Sequence, residues 1–202
     1  VYTGVVLRFL VVLFPLLSLL TAQGFYRFWE RLQGWGRVFL VIGSAFLLWS
    51  QLVLFLYVHA VVGSLNVLVG LQSKNEYLSQ KLDYYPCSSF ARENLGENDR
   101  ILVIGEQRGY YLVQPHVTTT VMAPNDYVVL ANEAASGEML AGNLKKRFDY
   151  ILYVTREAKR LEHGYGFLAL TDLGAKNWKD LFLKQLKPHF HLPERCTLYQ
   201  FK

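Results

Sequence analysis

Apolar residues fill the first third of the chain almost without interruption, and short apolar runs separated by polar stretches fill the rest. Between Arg8 and Arg27 lie eighteen uncharged residues, FLVVLFPLLSLLTAQGFY. That is about the length needed to cross ~30 Å of hydrocarbon as a helix. The pattern predicts a membrane helix over about residues 5–26. No residue from Val38 to Ser73 is charged, and VFLVIGSAFLLWSQLVLFLYV predicts a second span over 38–58, joined to the first by a loop over 27–37. Past His59 the run weakens at Gly63, Asn66 and Gly70, so residues 59–73 are expected to leave the bilayer, as an extension of that helix or as one lying in the interface. A signal peptide would imitate the first run, with Arg8 before it and Ala22 and Gly24 after it. A second long apolar run and the absence of an initial Met favour a span within a piece of a longer polypeptide.

From residue 74 the pattern changes. NEYLSQKLDYYPCSSFARENLG spaces its apolar residues helically and breaks at Pro86, which suits the first turn of a new helix, with Gly96 suiting its cap. RILVIG and DYILYV are near-continuous apolar runs of the kind found in strands buried on both faces, and HVTTTV is rich in β-branched residues. SGEMLAGNLKKRF predicts a helix capped by Ser136, and NWKDLFLKQL another that stops at Pro188. The tail PHFHLPERCTLYQF reads as two short strands turned around Pro193 and Glu194. The expected architecture is therefore two transmembrane α-helices in a membrane region, 1–73. A small α/β domain follows over 74–202, with a mainly parallel, Rossmann-like sheet and an antiparallel edge pair.

Charge then orients the chain. Residues 1–73 hold five charged residues and the remainder thirty-two. The loop RFWERLQGWGR carries three arginines, whereas Arg8 alone marks the other side, so the loop is expected in the cytoplasm and the α/β domain outside it. The polar part is nearly balanced, seventeen basic against fifteen acidic residues, which gives no reason to expect nucleic acid as a partner. Cys87 and Cys196 both fall in the outward part, where a disulfide is permitted. A bridge and two buried free thiols both remain open.

The candidate chemistry centres on GEQRGYYL, which follows a strand, the position where ligands gather in parallel sheets. Its G-x-x-x-G spacing lacks the third glycine of a dinucleotide fingerprint, and no phosphate loop of the G-x-x-x-x-G-K-[ST] type occurs. Gly105 is expected to supply a special backbone angle, while Arg108, Glu106, Tyr110 and Tyr111 are the candidate substrate contacts, facing a phosphate or sugar at the membrane surface. His189 and His191 are expected to share a strand face, yet two ligands without a carboxylate or cysteine cluster do not make a metal site. Ser88, Ser89 and Ser136 read as helix starts, and the scattered acids form no general acid and base pair. No catalytic residue and no metal ligand is assigned.

The series SKNEYLSQKLDYYP, NLGENDRILVIGEQRGYYL, DYILYVTREAKRL and FLKQLKPHFHL with CTLYQF resembles the C-terminal part of bacterial integral-membrane glycosyltransferases of the GT-C superfamily, similar to the protein mannosyltransferase and aminoarabinose transferase relatives. The resemblance is closest over 71–202. It implies a multi-pass protein of the bacterial inner membrane that moves a sugar from a polyprenyl-phosphate carrier to a lipid, glycan or protein acceptor on the outer side. It also implies that an acidic residue or pair in the first outward loop, near a metal or acting as base, carries the chemistry, in an N-terminal part this chain does not contain. The expected partners are thus membrane lipid, the carrier-linked sugar, an acceptor and the missing transmembrane helices. No cofactor is implied for this fragment, and a divalent metal is compatible with the full-length enzyme. A non-catalytic membrane-anchored α/β binding or interaction module is the alternative.

Overall fold

The computed structural model describes residues 14–202, which divide into two compact units between Leu68 and Val69.

The first unit contains α1 (Phe14–Arg31), α2 (Trp35–Val62) and the short α3 (Ser64–Leu68). Helix α2 has 28 residues, none of them buried, and is long and apolar enough to cross a membrane. At 1.5 Å per residue it measures about 42 Å. It ends at Gly63, whose left-handed conformation lets its N–H bond to the carbonyls of His59 and Ala60. Only this helix passes as a span among the described residues. The expected first span over 5–26 is described only from Phe14, and there it runs on through Arg27, Glu30 and Arg31, so the described helix is too charged to qualify. Residues 5–13 of that expectation lie outside the described residues. The connecting turn is also shorter than 27–37, because both helices extend into it. Arg37 closes it by donating to Leu32 O and stacking over Trp29, 5.4 Å from the ring centre.

The second unit runs through α4 (Lys74–Lys81), α5 (Tyr85–Asn94), β1 (Ile101–Ile104), β2 (His116–Thr118), α6 (Asp126–Glu133), α7 (Gly137–Lys145), β3 (Tyr150–Val154), α8 (Thr155–Tyr165), α9 (Asp172–Asp180), a π-helical segment (Leu181–Gln185), β4 (Leu186–Leu192) and β5 (Cys196–Phe201). Local chemistry explains the starts. Ser73 and Glu76 form a reciprocal capping box on α4, and the Ser136 and Thr171 hydroxyls cap α7 and α9. The sheet order is β2-β1-β3-β5-β4. Leu102, Ile104 and Ile151 face a core built with α6, α7, α8 and Leu181, whereas Ile101, Val103, Leu152, Val154 and Leu198 face a smaller core covered by α5. All four β1 residues are buried, which is why its sequence shows no alternation.

The sheet is mixed: the expected antiparallel pair closes one edge, and it joins the parallel strands through a further antiparallel pairing, so parallel pairs do not predominate. Strand β1 pairs in parallel with β2 and β3, and β5 pairs antiparallel with both β3 and β4. The reversal lies in β5, which turns back at Glu194, itself in the left-handed region at φ 60°, and inserts between β3 and β4. Pro188 does not end a helix. It sits inside edge strand β4, which tolerates a residue without an N–H, and the helical segment stops at Gln185. The register slips between Pro188 and Phe190, leaving His189 as the extra residue of a bulge. In consequence His189 faces Phe90 and Tyr150, while His191 accompanies Thr197 on the other face. The two histidines do not share a face.

Asp149 pins the starts of β1 and β3 together. Its carboxylate accepts from the backbone N–H and from Nε and Nη2 of Arg100. The side-chain hydrogen bond from Arg100 holds the Asp149 carboxyl below its ordinary value. A depressed native value makes the contribution complete above the unfolded pKa of about 4 and removes it as pH falls through the native value. The stability gap between wild type and Asp149→Asn, read from hydrogen exchange of β3 amides, is expected to be present at neutral pH and to close on acidification.

Candidate functional site

From β1 the chain moves to β2 on one side, and β3 lies on the other, so the carboxyl ends of β1 and β3 form the point where strand order reverses. In sheets of this kind loops diverge at such a point and ligands gather there. Gly105 opens the site with φ +87°, its N–H bonded to Thr119 Oγ1 at 3.0 Å. A β-carbon on it would lie 2.7 Å from both Val154 O and Ala158 Cβ, so glycine lets β1 approach the first turn of α8.

Glu106 follows, 3% exposed. Its Oε1 accepts from the N–H groups of Gln107 and Arg108, both at 2.9 Å, and from Arg108 Nε at 2.7 Å; Oε2 accepts from Arg108 Nη2 at 2.8 Å. This bidentate pair raises Arg108 above its ordinary value and holds the guanidinium in one plane. The Arg108 side chain remains 53% exposed, and Nη1 takes no part in the pair. A second pair stands beside it on α8, where Glu157 accepts from Arg160 Nε at 2.8 Å and Nη2 at 2.6 Å. The hydrogen bond from Arg160 holds Glu157 below the usual carboxylate range, and the Arg108 charge acts in the same direction.

Tyrosines surround the first pair. The Tyr84 ring is 1% exposed, and burial pushes its phenol up to about 12, with the Glu106 charge adding to the rise and Arg108 opposing it. Its hydroxyl makes no hydrogen bond within the described residues and is not sealed from solvent. Tyr111 packs edge-on against Tyr85 at 4.9 Å and lies 6.2 Å from Tyr84, while Tyr85 donates to Asn75 Oδ1 at 2.7 Å. Tyr110 is 87% exposed. Asp83 ties this corner to the start of α8 and to the β4–β5 turn, through Arg156 at 3.5 Å and Arg195 Nε at 3.2 Å. Arg195 also donates to the carbonyls of Ser79 and Leu82, satisfying the free end of α4. Across the α5 face, Cys87 and Cys196 are joined by a disulfide with Cα atoms 6.2 Å apart.

The four residues picked from GEQRGYYL therefore play different parts. Glu106 is a buried scaffold for Arg108, Tyr111 is packed, and Arg108 and Tyr110 reach outward. Sequence reasoning missed Tyr84, Glu157 and Arg160. The available signals were the tyrosine doublet before Pro86 and the Glu-x-x-Arg spacing just after a strand. Both carboxylates are already held by guanidinium groups, so the arrangement suits recognition and not proton abstraction. Among the described residues no group of three or more His, Cys, Asp or Glu side chains is placed to hold a metal.

No protein-family model matches the chain, and a search of curated proteins finds no match. Among solved structures, the chain is similar to the C-terminal globular domain of an oligosaccharyltransferase from Archaeoglobus fulgidus, at 15% identity over 59% of this chain and 97% of that one, with a TM-score of 0.40.

Proposed function

We propose that the chain is the extracytoplasmic C-terminal part of a multi-pass glycosyltransferase of the bacterial inner membrane. The full enzyme would transfer a sugar from a polyprenyl-phosphate donor to a lipid, glycan or protein acceptor. The observation that carries this reading is the combination, in one chain, of the apolar helix α2 with an α/β unit closed by the Cys87–Cys196 disulfide. Such bonds persist in oxidising compartments outside the cytoplasm, the side on which carrier-linked sugars are used by the enzymes this sequence resembles. In this reading α1 belongs to a second span. The turn carrying Arg27, Arg31 and Arg37 then faces the cytoplasm.

The reaction is displacement at an anomeric carbon with the carrier phosphate leaving, and the acidic residue or pair that carries it belongs to the N-terminal part of the full enzyme. Arg108 and Tyr110, placed by Glu106 and Tyr111, act as substrate contacts in the cap. A non-catalytic binding module is the second reading, favoured by the pairing of both site carboxylates. The test is sugar transfer from polyprenyl-phosphate donors by the full polypeptide in membrane vesicles. Arg108→Ala is expected to lower the rate about tenfold, one charged hydrogen bond, at unchanged expression. Absence of transfer from any such donor by the wild-type protein would establish the binding module instead.

A further inference from the structure

We infer that the ligand held at the carboxyl end of β1 is an uncharged saccharide unit, gripped between Arg108 Nη1, the Tyr84 hydroxyl and the Tyr110 ring, and not a phosphate. This deepens the substrate-contact role proposed above and rests on it for the location of the site.

The hydrogen-bonding inventory is the first reason. A sugar hydroxyl both donates and accepts, so its site must offer both kinds of group. Here the Nη1 of Arg108, left out of the pair, donates, Glu106 Oε2 and the two Glu157 oxygens each accept a single hydrogen bond and retain acceptor capacity, and the Tyr84 hydroxyl can do either. A phosphate offers oxygens that mostly accept, and two carboxylates would stand against it. The charge balance is the second reason. Arg108 is already neutralised by a bidentate carboxylate at 2.7 Å, and Arg160 by another at 2.6 Å. An anion would have to compete with both.

Tyr84 supplies the independent sign that something binds. The phenol of a tyrosine 1% exposed, with no hydrogen bond among the described residues and charged groups of both signs beside it, is an unusual arrangement to leave unpartnered. Tyr110 completes the grip. An exposed aromatic face two residues from Arg108 gives the C–H side of a pyranose an apolar platform. The rigidity of the first pair matters too, because Glu106 also holds the Gln107 and Arg108 N–H groups, so Nη1 is presented in a fixed direction before any ligand arrives.

The experiment uses the full polypeptide in lipid nanodiscs, with methyl hexosides, a methyl aminohexoside and inorganic phosphate as probes, read by saturation-transfer NMR. At least one glycoside is expected to bind, and phosphate at equal concentration is expected not to displace it. Tyr110→Ala should weaken binding about tenfold and Tyr84→Phe about fivefold, with β1 and β3 hydrogen exchange unchanged in Tyr84→Phe. Displacement by phosphate, absence of glycoside binding, or equal affinity in both variants would each overturn the inference. Glycoside binding without any sugar transfer would leave it standing and remove the transferase reading. Transfer with wild-type kinetics in both variants would do the reverse.

Discussion

Replacing both Cys87 and Cys196 by alanine is expected to cost the α/β unit about 4 to 5 kcal/mol, enough to unfold it in part at 37 °C. The two cysteines are 109 residues apart, and a closed loop of that length removes about that much free energy from the unfolded chain in the loop-entropy account. A domain of this size is stable by about 5–15 kcal/mol in total. Both side chains are fully buried, so the substitution also removes packing between α5 and β5 beside Tyr84, Ala91 and Leu198. Hydrogen exchange of β3 and β5 amides in the reconstituted protein should show protection falling together in both strands. A loss below about 1 kcal/mol would mean that the bridge closes little of the unfolded chain's freedom, contrary to its span.

The second large effect falls on a single atom group. Gly105→Val is expected to destabilise by roughly 3 kcal/mol or more, because it combines a backbone angle closed to branched residues with overpacking. The angle is φ +87°, and the added carbon meets Val154 O and Ala158 Cβ at 2.7 Å, both in the segment where β3 passes into α8. Neither neighbour can swing aside, since one is backbone and the other lies directly on a helix. The shift needed would also disturb the Glu106 and Arg108 backbone geometry, so ligand binding should fail with stability. Gly105→Ala should give a smaller loss of both, with the stability of each variant read by urea titration. Equal stability of the valine variant would show that β1 does not need its close approach to α8.

Much of this architecture could be read from the chain, for reasons that differ by element. RILVIG and DYILYV announced themselves as buried strands because both their faces are covered. Ser136, Pro86 and the Pro193–Glu194 turn act locally and so were visible in short windows. Helices α6 and α8 were less visible: DYVVLANE is short and its N-cap Asn125 spends its side chain on Thr120 and Phe167, and α8 begins directly from β3 without a capping side chain. The parallel set β2-β1-β3 and the antiparallel tail pair were legible, but the place of β5 between β3 and β4 was not, since nothing in CTLYQF records which neighbour it will lie between. The bulge at His189 was likewise hidden, because one extra residue exchanges the faces of everything after it without altering composition. At the site, Gly105 and Arg108 stood out by their position after a strand. Tyr84 did not, because its approach to Glu106 depends on Arg195 holding the α4–α5 corner from more than a hundred residues away.

The placement of β5 has a consequence for how the protein is made. It is the last of the five strands to leave the ribosome, yet it lies inside the sheet, between β3 and β4, and carries both Arg195's neighbour and the partner of Cys87. Until residues 195–201 arrive, β3 has one bare edge, Cys87 has no correct partner, and the last carbonyls of α4 lack Arg195. A nascent or translocating chain must therefore hold β1, β2 and β3 in an unfinished state, exposed to stray strand pairing and wrong thiol chemistry, and complete its core in one late step.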